Sequence, residues 1–292
     1  MWAAYCAQVR NSLIYFWTVT PSHDTSKVSS VAFKHSLLGA LPESSKKQLL
    51  AHLKLIELSL GPLPMQVGRR DVVYLPLDGV LANENIDGDG NCAFQAFSTG
   101  THIFGLQRNL TPNVSQRLTV VGRGHAFRGE REKIHQILVE IGIESLFKGA
   151  TLQGMVEINS GNSICATSHA ATARIARLLI EANHAFRDKG AITLNQSILA
   201  RFVGTRRETV AEVMGALRRD KIITMGRQKI SVIDMPALEV RACACWRYNL
   251  NATDRYHDML AAGQKSLYAS VYVLASSSTE PLLRLSNSSV LF

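Results

Sequence analysis

Residues 194–233 read LNQSILARFVGTRRETVAEVMGALRRDKIITMGRQKISVI, and three pieces follow one another in this stretch. In the first, Ile198, Leu199, Phe202 and Val203 recur at i, i+1, i+4 and i+5, the spacing of one helical face. Asn195 stands just before that face and is placed to cap it by accepting a backbone N–H. Gly204 is predicted to end the helix, because a residue without Cβ takes a left-handed turn at little cost. Thr205 is then expected to cap a second helix, with Glu208 three residues on completing a capping box. That helix repeats Val210, Val213, Met214 and Leu217 at i, i+3, i+4 and i+7, which predicts a buried stripe. Arg206, Arg207, Glu208 and Glu212 are left facing outward. Ile222-Ile223-Thr224 follow, then a turn over residues 225–228, then Lys229 to Ile233, where Ile230 and Val232 alternate with polar neighbours. Helix, glycine turn, helix and hairpin together make a helix-turn-helix with a wing.

Charge concentrates in the same region. Between Arg187 and Lys229 there are ten Lys/Arg and four Asp/Glu, a balance of +6 in a chain whose net charge is +9. A basic surface on a helix-turn-helix is the footprint of one that meets phosphates, so double-stranded DNA is the expected partner. Arg207 is expected to reach guanine O6 and N7, worth about 1–3 kcal/mol of discrimination, and Glu208 to accept from a cytosine amine. Glu212 lies one turn further along the same helix. Arg206, Thr209, Arg218, Arg227 and Lys229 are the expected backbone contacts.

Leu194 to Ile233, with GTRRETV at 204–210, resembles the winged helix-turn-helix of the Crp/Fnr transcription regulators. The second helix is similar to their recognition helix, whose base-reading positions fall on Arg207, Glu208 and Glu212, with Thr209 close to the backbone. At Glu212 the sequence departs from the family, where a basic residue is frequent, so the preferred operator is expected to differ. Cys165, His169 and the run Arg174-Ile175-Ala176-Arg177-Leu178-Leu179 resemble one divergent branch, as do residues 242–248, ACACWRY. The resemblance implies a jelly-roll sensor domain, a long helix that pairs two subunits, a roughly palindromic promoter site and, as a further partner, RNA polymerase.

Composition agrees with a globular chain of more than one domain. The 292 residues are 46% hydrophobic and 19% charged, and length alone allows two separate cores. No apolar run approaches the roughly 20 residues of a membrane span. The opening MWAAYCAQVRNSLIYFWTV lacks a basic start and a small-residue cleavage site, so no signal peptide is read there. Five scattered cysteines point to reduced thiols and a cytoplasmic protein.

Taken in order, residues 1–32 carry no regular pattern after Phe16 and read as an extension. Two short helices are predicted around Leu37, Leu38 and Leu41, then around Leu49, Leu50 and Leu53, the second starting at Pro42-Glu43-Ser44-Ser45. The period then changes to two. Ile56, Leu58 and Leu60 alternate with polar residues, Val72 to Leu75 is a strand, Gly79 to Ala82 opens another, and Asp87 to Asn91 is dense turn chemistry. Short strands between glycine-rich turns predict a β-sandwich or barrel. Ile134, Ile137, Leu138 and Ile141 restore a helical period. Leu152, Met155, Val156, Ile158 and Ile164 extend it, but Gly149, Gly154 and Gly161 each cost a helix about 1 kcal/mol, and Asn159 to Ser163 is an expected break. Ile175, Leu178, Leu179, Ala182 and Phe186 form an amphipathic helix. Asp234 is expected to cap a last helix with Pro236 in its first turn, burying Leu238, Ala242, Cys245 and Trp246.

Other chemistry is weighed at specific residues. Asp87-Gly88-Asp89-Gly90-Asn91-Cys92 resembles the nucleophile loop of ovarian-tumour-type cysteine proteases, which makes a hydrolase centred on Cys92 the rival reading. That chemistry needs a histidine base near the thiol, and none of the histidines stands in that family's histidine motif. An effector-free architectural DNA-binding protein is a second rival. Cyclic-nucleotide binders of the Crp/Fnr family place an acid after a glycine and an arginine downstream. Here Phe104-Gly105-Leu106-Gln107-Arg108 lacks the acid and Arg117 lacks the usual context, so no cyclic nucleotide is expected. Cys6 stands alone, without the clustered cysteines of an iron–sulfur sensor, and no histidine is singled out for haem. On one helix Cys243 and Cys245 would point about 200° apart, a poor chelate, so they are read as buried structural thiols.

The expectation is therefore an α+β chain with a jelly-roll sensor-like domain at 33–145, a connecting and dimerisation helix at 146–170, a winged helix-turn-helix at 171–250 and a tail at 251–292. It is read as a DNA-binding homodimer, not an enzyme, with no cofactor, no catalytic residue, no metal ligand and no membrane association.

Overall fold

Short strands with buried residues on both faces build much of the N-terminal half. The computed structural model describes residues 35–100, 102–106, 114–227, 229–256, 258 and 259; Cys6, Gln107, Arg108, Gln228 and the tail from 260 lie outside them, as does the expected extension at 1–32. Two short helices, α1 (Ser36–Ala40) and α2 (Glu43–Leu50), open the described chain, with Pro42 before α2 as expected. Leu53, read as helical, instead begins strand β1 (Leu53–Leu58). Ile56 and Leu58 face the space between the sheets, while Leu53, an odd number of residues away, faces the other side and packs in the core that holds Leu49 and Ile134; Lys54 and Glu57 are exposed.

Strands β2 (Gly61–Leu63), β3 (Gln66–Val67), β4 (Arg70–Pro76), β5 (Val80–Asp87), β6 (Cys92–Ser98), β7 (Val114–Gly122) and β8 (Gly124–Glu130) follow. They form two antiparallel four-stranded sheets, ordered β1-β8-β4-β3 and β2-β7-β5-β6. Neighbours such as β1 and β8 are far apart in sequence, the long-range pairing of a jelly roll. Ile56, Leu58, Tyr74, Leu81, Leu118 and Val120 fill the space between the sheets.

Helix α3 (Arg131–Glu140) closes one end with Ile134, Ile137 and Leu138, and Gly142 (φ 75°) turns the chain into α4. Helix α4 (Glu144–Ser168) runs 25 residues without the expected break at 159–163. Tertiary contacts override the glycines: the Asn162 amide donates to the carbonyl of Gln95 on β6 at 2.9 Å, and its side-chain oxygen accepts from the Asn249 amide at 3.2 Å. Each such contact is worth about as much as a glycine costs.

Helix α5 (Ala171–Ala185) is buried on more than its predicted face. Arg177, Ile180 and Glu181 are covered along with Ile175, Leu178, Leu179 and Ala182. The reason is its position: one core contains Val80, Ala82, Phe94 and Val121 from the β-domain and the apolar residues of α5 and the elements after it. A single 3-10 turn (Arg187–Lys189) leads into α6 (Gln196–Val203), α7 (Arg207–Arg219), the hairpin β9 (Ile223–Gly226) and β10 (Lys229–Val232), and α8 (Met235–Arg241). Asp234 accepts from the Ala237 N–H at 2.9 Å and Pro236 sits in the first turn, both as read. Helix α8 does not carry Ala242, Cys245 and Trp246, however. Ala242 is extended (φ −86°, ψ 153°), and a separate helix, α9, spans residues 245–256. Residues 251–256, read as tail, continue that helix, and Tyr256 stacks on His102 of the β-domain with ring centroids 4.3 Å apart. Among the described residues no helix is long and apolar enough to cross a membrane.

Candidate nucleic-acid interface

Helix α6 is held as the sequence requires. Asn195 Oδ1 accepts from the Ile198 N–H at 2.9 Å, and Gly204 is left-handed (φ 68°, ψ 49°). The capping box does not form. The Thr205 N–H is taken by the Ala200 carbonyl at 3.0 Å, closing α6, so one more extended residue is needed before the next helix can start. That residue is Arg206 (φ −79°, ψ 150°), and no side chain caps α7. The tight turn thus claims the residue that the capping pattern assigned to the next helix.

Helix α7 buries Val210, Met214 and Leu217 and half-buries Val213. At about 1.5–3 kcal/mol for each fully buried large side chain, this stripe fixes which face is left outside. On that face Arg206, Arg207, Glu208, Glu212 and Arg218 are exposed, and Thr209 is half-buried against the domain. The helix ends on Lys221, a non-glycine residue with φ 58°, which no sequence signal announced. The wing pairs Lys229 with Gly226, Ile230 with Met225, Ser231 with Thr224 and Val232 with Ile223. Met225 and Gly226, read as turn, belong to strand β9. Arg227 and Lys229 stand exposed at the tip and Ile230 is buried. Among the described residues, the side chains of Arg206, Arg207, Glu208, Glu212, Arg218, Arg227 and Lys229 make no hydrogen bond or ion pair within the chain. The outward surface of α7 and its wing therefore presents these five cations and two carboxylates to solvent, beside the exposed Arg219.

Sequence reasoning missed how this unit is seated. Phe202 on α6 stacks on Phe94 of β6 with centroids 4.5 Å apart, and Phe97 meets the rings of both Phe202 and Phe186 edge-on. The Arg174 guanidinium donates to the Val203 carbonyl at 3.0 Å. These contacts cover the inner side of α6 and leave α7 and the wing on the far side.

The rival reading at Cys92 loses its structural basis. Asp87 to Asn91 is the turn of the β5–β6 hairpin, with Asp87 Oδ1 accepting from the Asp89 and Asn91 N–H groups. Hydrogen bonds from Asn91 outweigh the cost of desolvation and hold the Asp87 carboxyl below its ordinary value. Cys92 is the first residue of β6, opposite Ile86, and does not open a helix.

A cavity of about 280 Å³ lies between the β5–β6 face and α4, lined by residues including Asn83, Asn85, Gln95, His102, Thr151 and Tyr256. Among the described lining residues there is neither an arginine nor a carboxylate. Arg117, the arginine weighed as a phosphate ligand, donates instead to the buried Glu84 at 3.1 Å.

Comparison with known proteins places these features together. The family model of the Crp-like helix-turn-helix domain matches residues 173–241. No curated protein matches the chain. FixK2 from Bradyrhizobium japonicum shares the fold at 16% identity, over 66% of this chain and 98% of that one, with a TM-score of 0.52. CLP from Xanthomonas campestris, a c-di-GMP-responsive global regulator, does so at 15% identity over 65% and 99%, with a TM-score of 0.53. A transcriptional regulator assigned to the Crp/Fnr family from Eubacterium rectale matches at 13% identity over 73% and 99%, with a TM-score of 0.54.

Proposed function

We propose that this chain, which has the fold of the Crp/Fnr regulators and carries a Crp-like helix-turn-helix domain, is a sequence-specific transcription regulator that binds promoter DNA as a homodimer. The observation that carries the reading is the outward surface of α7 and the wing, where Arg206, Arg207, Glu208, Glu212, Arg218, Arg227 and Lys229 are exposed and, among the described residues, make no hydrogen bond or ion pair within the chain. An α-helix about 10–12 Å across fits the major groove, about 12 Å wide, and the uncapped N–H groups of the first turn of α7 suit a phosphate oxygen. In this reading Arg207 and Glu208 read bases, Glu212 tunes which bases are accepted, and Arg206, Thr209, Arg218, Arg227 and Lys229 hold the backbone.

Homodimerisation is supported by α4. Leu152, Val156 and Ile164 are exposed on it, and Gly149 opens onto free space, so an apolar line faces away from the β-domain. A second copy of the same helix would bury it. Two-fold symmetry then requires two half-sites about one helical turn apart, about 34–36 Å along the duplex.

The effector, if there is one, is read as something other than a cyclic mononucleotide. The absence of arginine and lysine among the described residues that line the β5–β6 cavity supports this, since a buried phosphate needs a countercharge.

The test is selection of bound duplexes from a random library at near-physiological salt, with the Arg207→Ala/Glu208→Ala double variant in parallel. The expected result is a two-fold symmetric site that disappears in the double variant. Tight, salt-sensitive binding to every duplex without enrichment would favour the architectural reading, and no DNA binding at all would end the proposal.

A further inference from the structure

Cys165, His169, Cys243 and Cys245 come from two stretches of chain that meet behind the DNA-binding unit. Cys165 lies in the last turn of α4, and His169 follows one turn later as its C-cap residue. Cys243 and Cys245 flank the break between α8 and α9. On a continuous helix those two thiols would diverge by about 200°, but the extended Ala242 interrupts the helix and brings them to the same side. One ligand-capable atom from each of the four residues lies within 4.8 Å of every other. Cys165 Sγ and Cys243 Sγ are 3.5 Å apart, and Cys245 Sγ is 3.6 Å from His169 Nδ1. The three thiols are buried and packed together with Ala173 against them.

These separations are those of one coordination sphere. A tetrahedral ion with metal–sulfur bonds of about 2.3 Å and a metal–nitrogen bond of about 2.0 Å sets sulfur–sulfur edges of about 3.8 Å and sulfur–nitrogen edges of about 3.5 Å. A cluster of several irons has to spread its ligands over more than one metal, which a 4.8 Å span does not allow. A Cys3His donor set is one of the closed structural zinc sets, and soft thiolates with one imidazole disfavour magnesium, calcium and manganese. Charge fits as well. Three thiolates around a divalent ion leave one net negative charge, and the nearby cation is Arg177, buried on α5.

We infer that Cys165, His169, Cys243 and Cys245 form a structural site for a single zinc-type ion, which ties the end of the long helix α4 to the α8–α9 break. The ion displaces the three thiol protons and the lone pair of His169 completes the tetrahedron, so no oxidant or reductant is involved. The clamp sits where the chain passes from α4 into α5, the joint between the β-domain and the helix-turn-helix, and it fixes the base of the DNA-binding unit without touching its outward face.

The test is metal content of the full chain purified under reducing conditions. About one zinc per chain is expected, falling below about one-tenth in Cys243→Ser and Cys245→Ser and unchanged in Cys92→Ser. Replacing zinc by cobalt(II) in the wild-type chain is expected to give the intense visible bands of a tetrahedral thiolate–cobalt centre, a readout that stands even where a variant fails to fold. Three results would overturn the site: a wild-type chain that takes up no more metal than the Cys243→Ser/Cys245→Ser double variant, a Cys165–Cys243 disulfide recovered from reduced preparations, or iron with inorganic sulfide at the same cysteines.

Discussion

Arg201, on the first helix of the helix-turn-helix, holds its guanidinium against Glu84, a carboxylate on β5 with no exposed surface. Nη2 donates to Oε2 at 3.2 Å and Nε lies 2.9 Å from Oε1. Arg117 Nη2 donates to Glu84 at 3.1 Å, and the Thr119 hydroxyl donates to it at 3.3 Å. One buried anion thus serves two cations, one from its own sheet and one from the DNA-binding unit. Removing the shared anion leaves both without it, so Glu84→Ala is expected to cost about 3–5 kcal/mol. Arg201→Ala leaves Glu84 with Arg117 and Thr119 and should cost less, about 1–3 kcal/mol. Urea unfolding of the full chain measures both. A loss for Glu84→Ala no larger than that for Arg201→Ala would show that the network does not pivot on the carboxylate.

Helix α4 offers Val156 and Ile164 to solvent, eight residues apart on one side. If a second copy covers them, placing charge there separates the subunits. Val156→Glu with Ile164→Glu is expected to convert a dimer at micromolar concentration into a monomer, read by sedimentation, while the far-ultraviolet dichroism stays that of the wild type. A dimer that survives both charges would put the subunit contact elsewhere.

Phosphate and base contacts separate by salt. Arg218→Ala, Arg227→Ala and Lys229→Ala should each weaken binding to all duplexes alike and lower the slope of log affinity against log salt by about 0.9. Arg207→Ala should instead relax discrimination at one position of the half-site by about 1–3 kcal/mol. An Arg227→Ala variant that lost only one operator sequence would contradict its assignment to the backbone.

Glu181 is buried on α5. Burial raises its pKa, opposed by the charge of Arg177 and a hydrogen bond from Asn249, whose amide lies 3.0 Å away. A raised carboxyl pKa means the folded chain holds a proton that the unfolded chain releases. The contribution of Glu181 to stability is therefore greatest below the ordinary value of 4.5 and declines as pH rises from there to the folded-state pKa. Glu181→Gln keeps the acceptor for Asn249 and cannot ionise, so its unfolding midpoint should fall less than that of the wild type as pH is raised through this range. Parallel midpoint curves for the two chains would remove Glu181 as the cause.

Much of the helix-turn-helix was legible because its signals are local. The cap on Asn195, the left-handed Gly204, the stripe of Val210, Met214 and Leu217 and the cap on Asp234 each need only a few neighbouring residues, so the sequence by itself determined those elements and which face of α7 stays outside. Short apolar stretches between turn residues likewise announced β1, β4 and β5. What depended on distant partners was not legible. The unbroken α4 rests on Gln95 and Asn249 offsetting its glycines. The left-handed Lys221 follows from closing α7 against the wing. The seating of Phe202 on Phe94 and of Arg201 on Glu84 joins residues over a hundred positions apart. The four-residue cluster of Cys165, His169, Cys243 and Cys245 shows the limit most plainly: read as a helix, the last two thiols diverge, and only the tertiary structure, by stopping α8 at Arg241, turns them toward the end of α4. Local free energies of about 1 kcal/mol choose elements, whereas the convergence of side chains from separate segments is set by the packing of whole elements, which no short window of sequence contains.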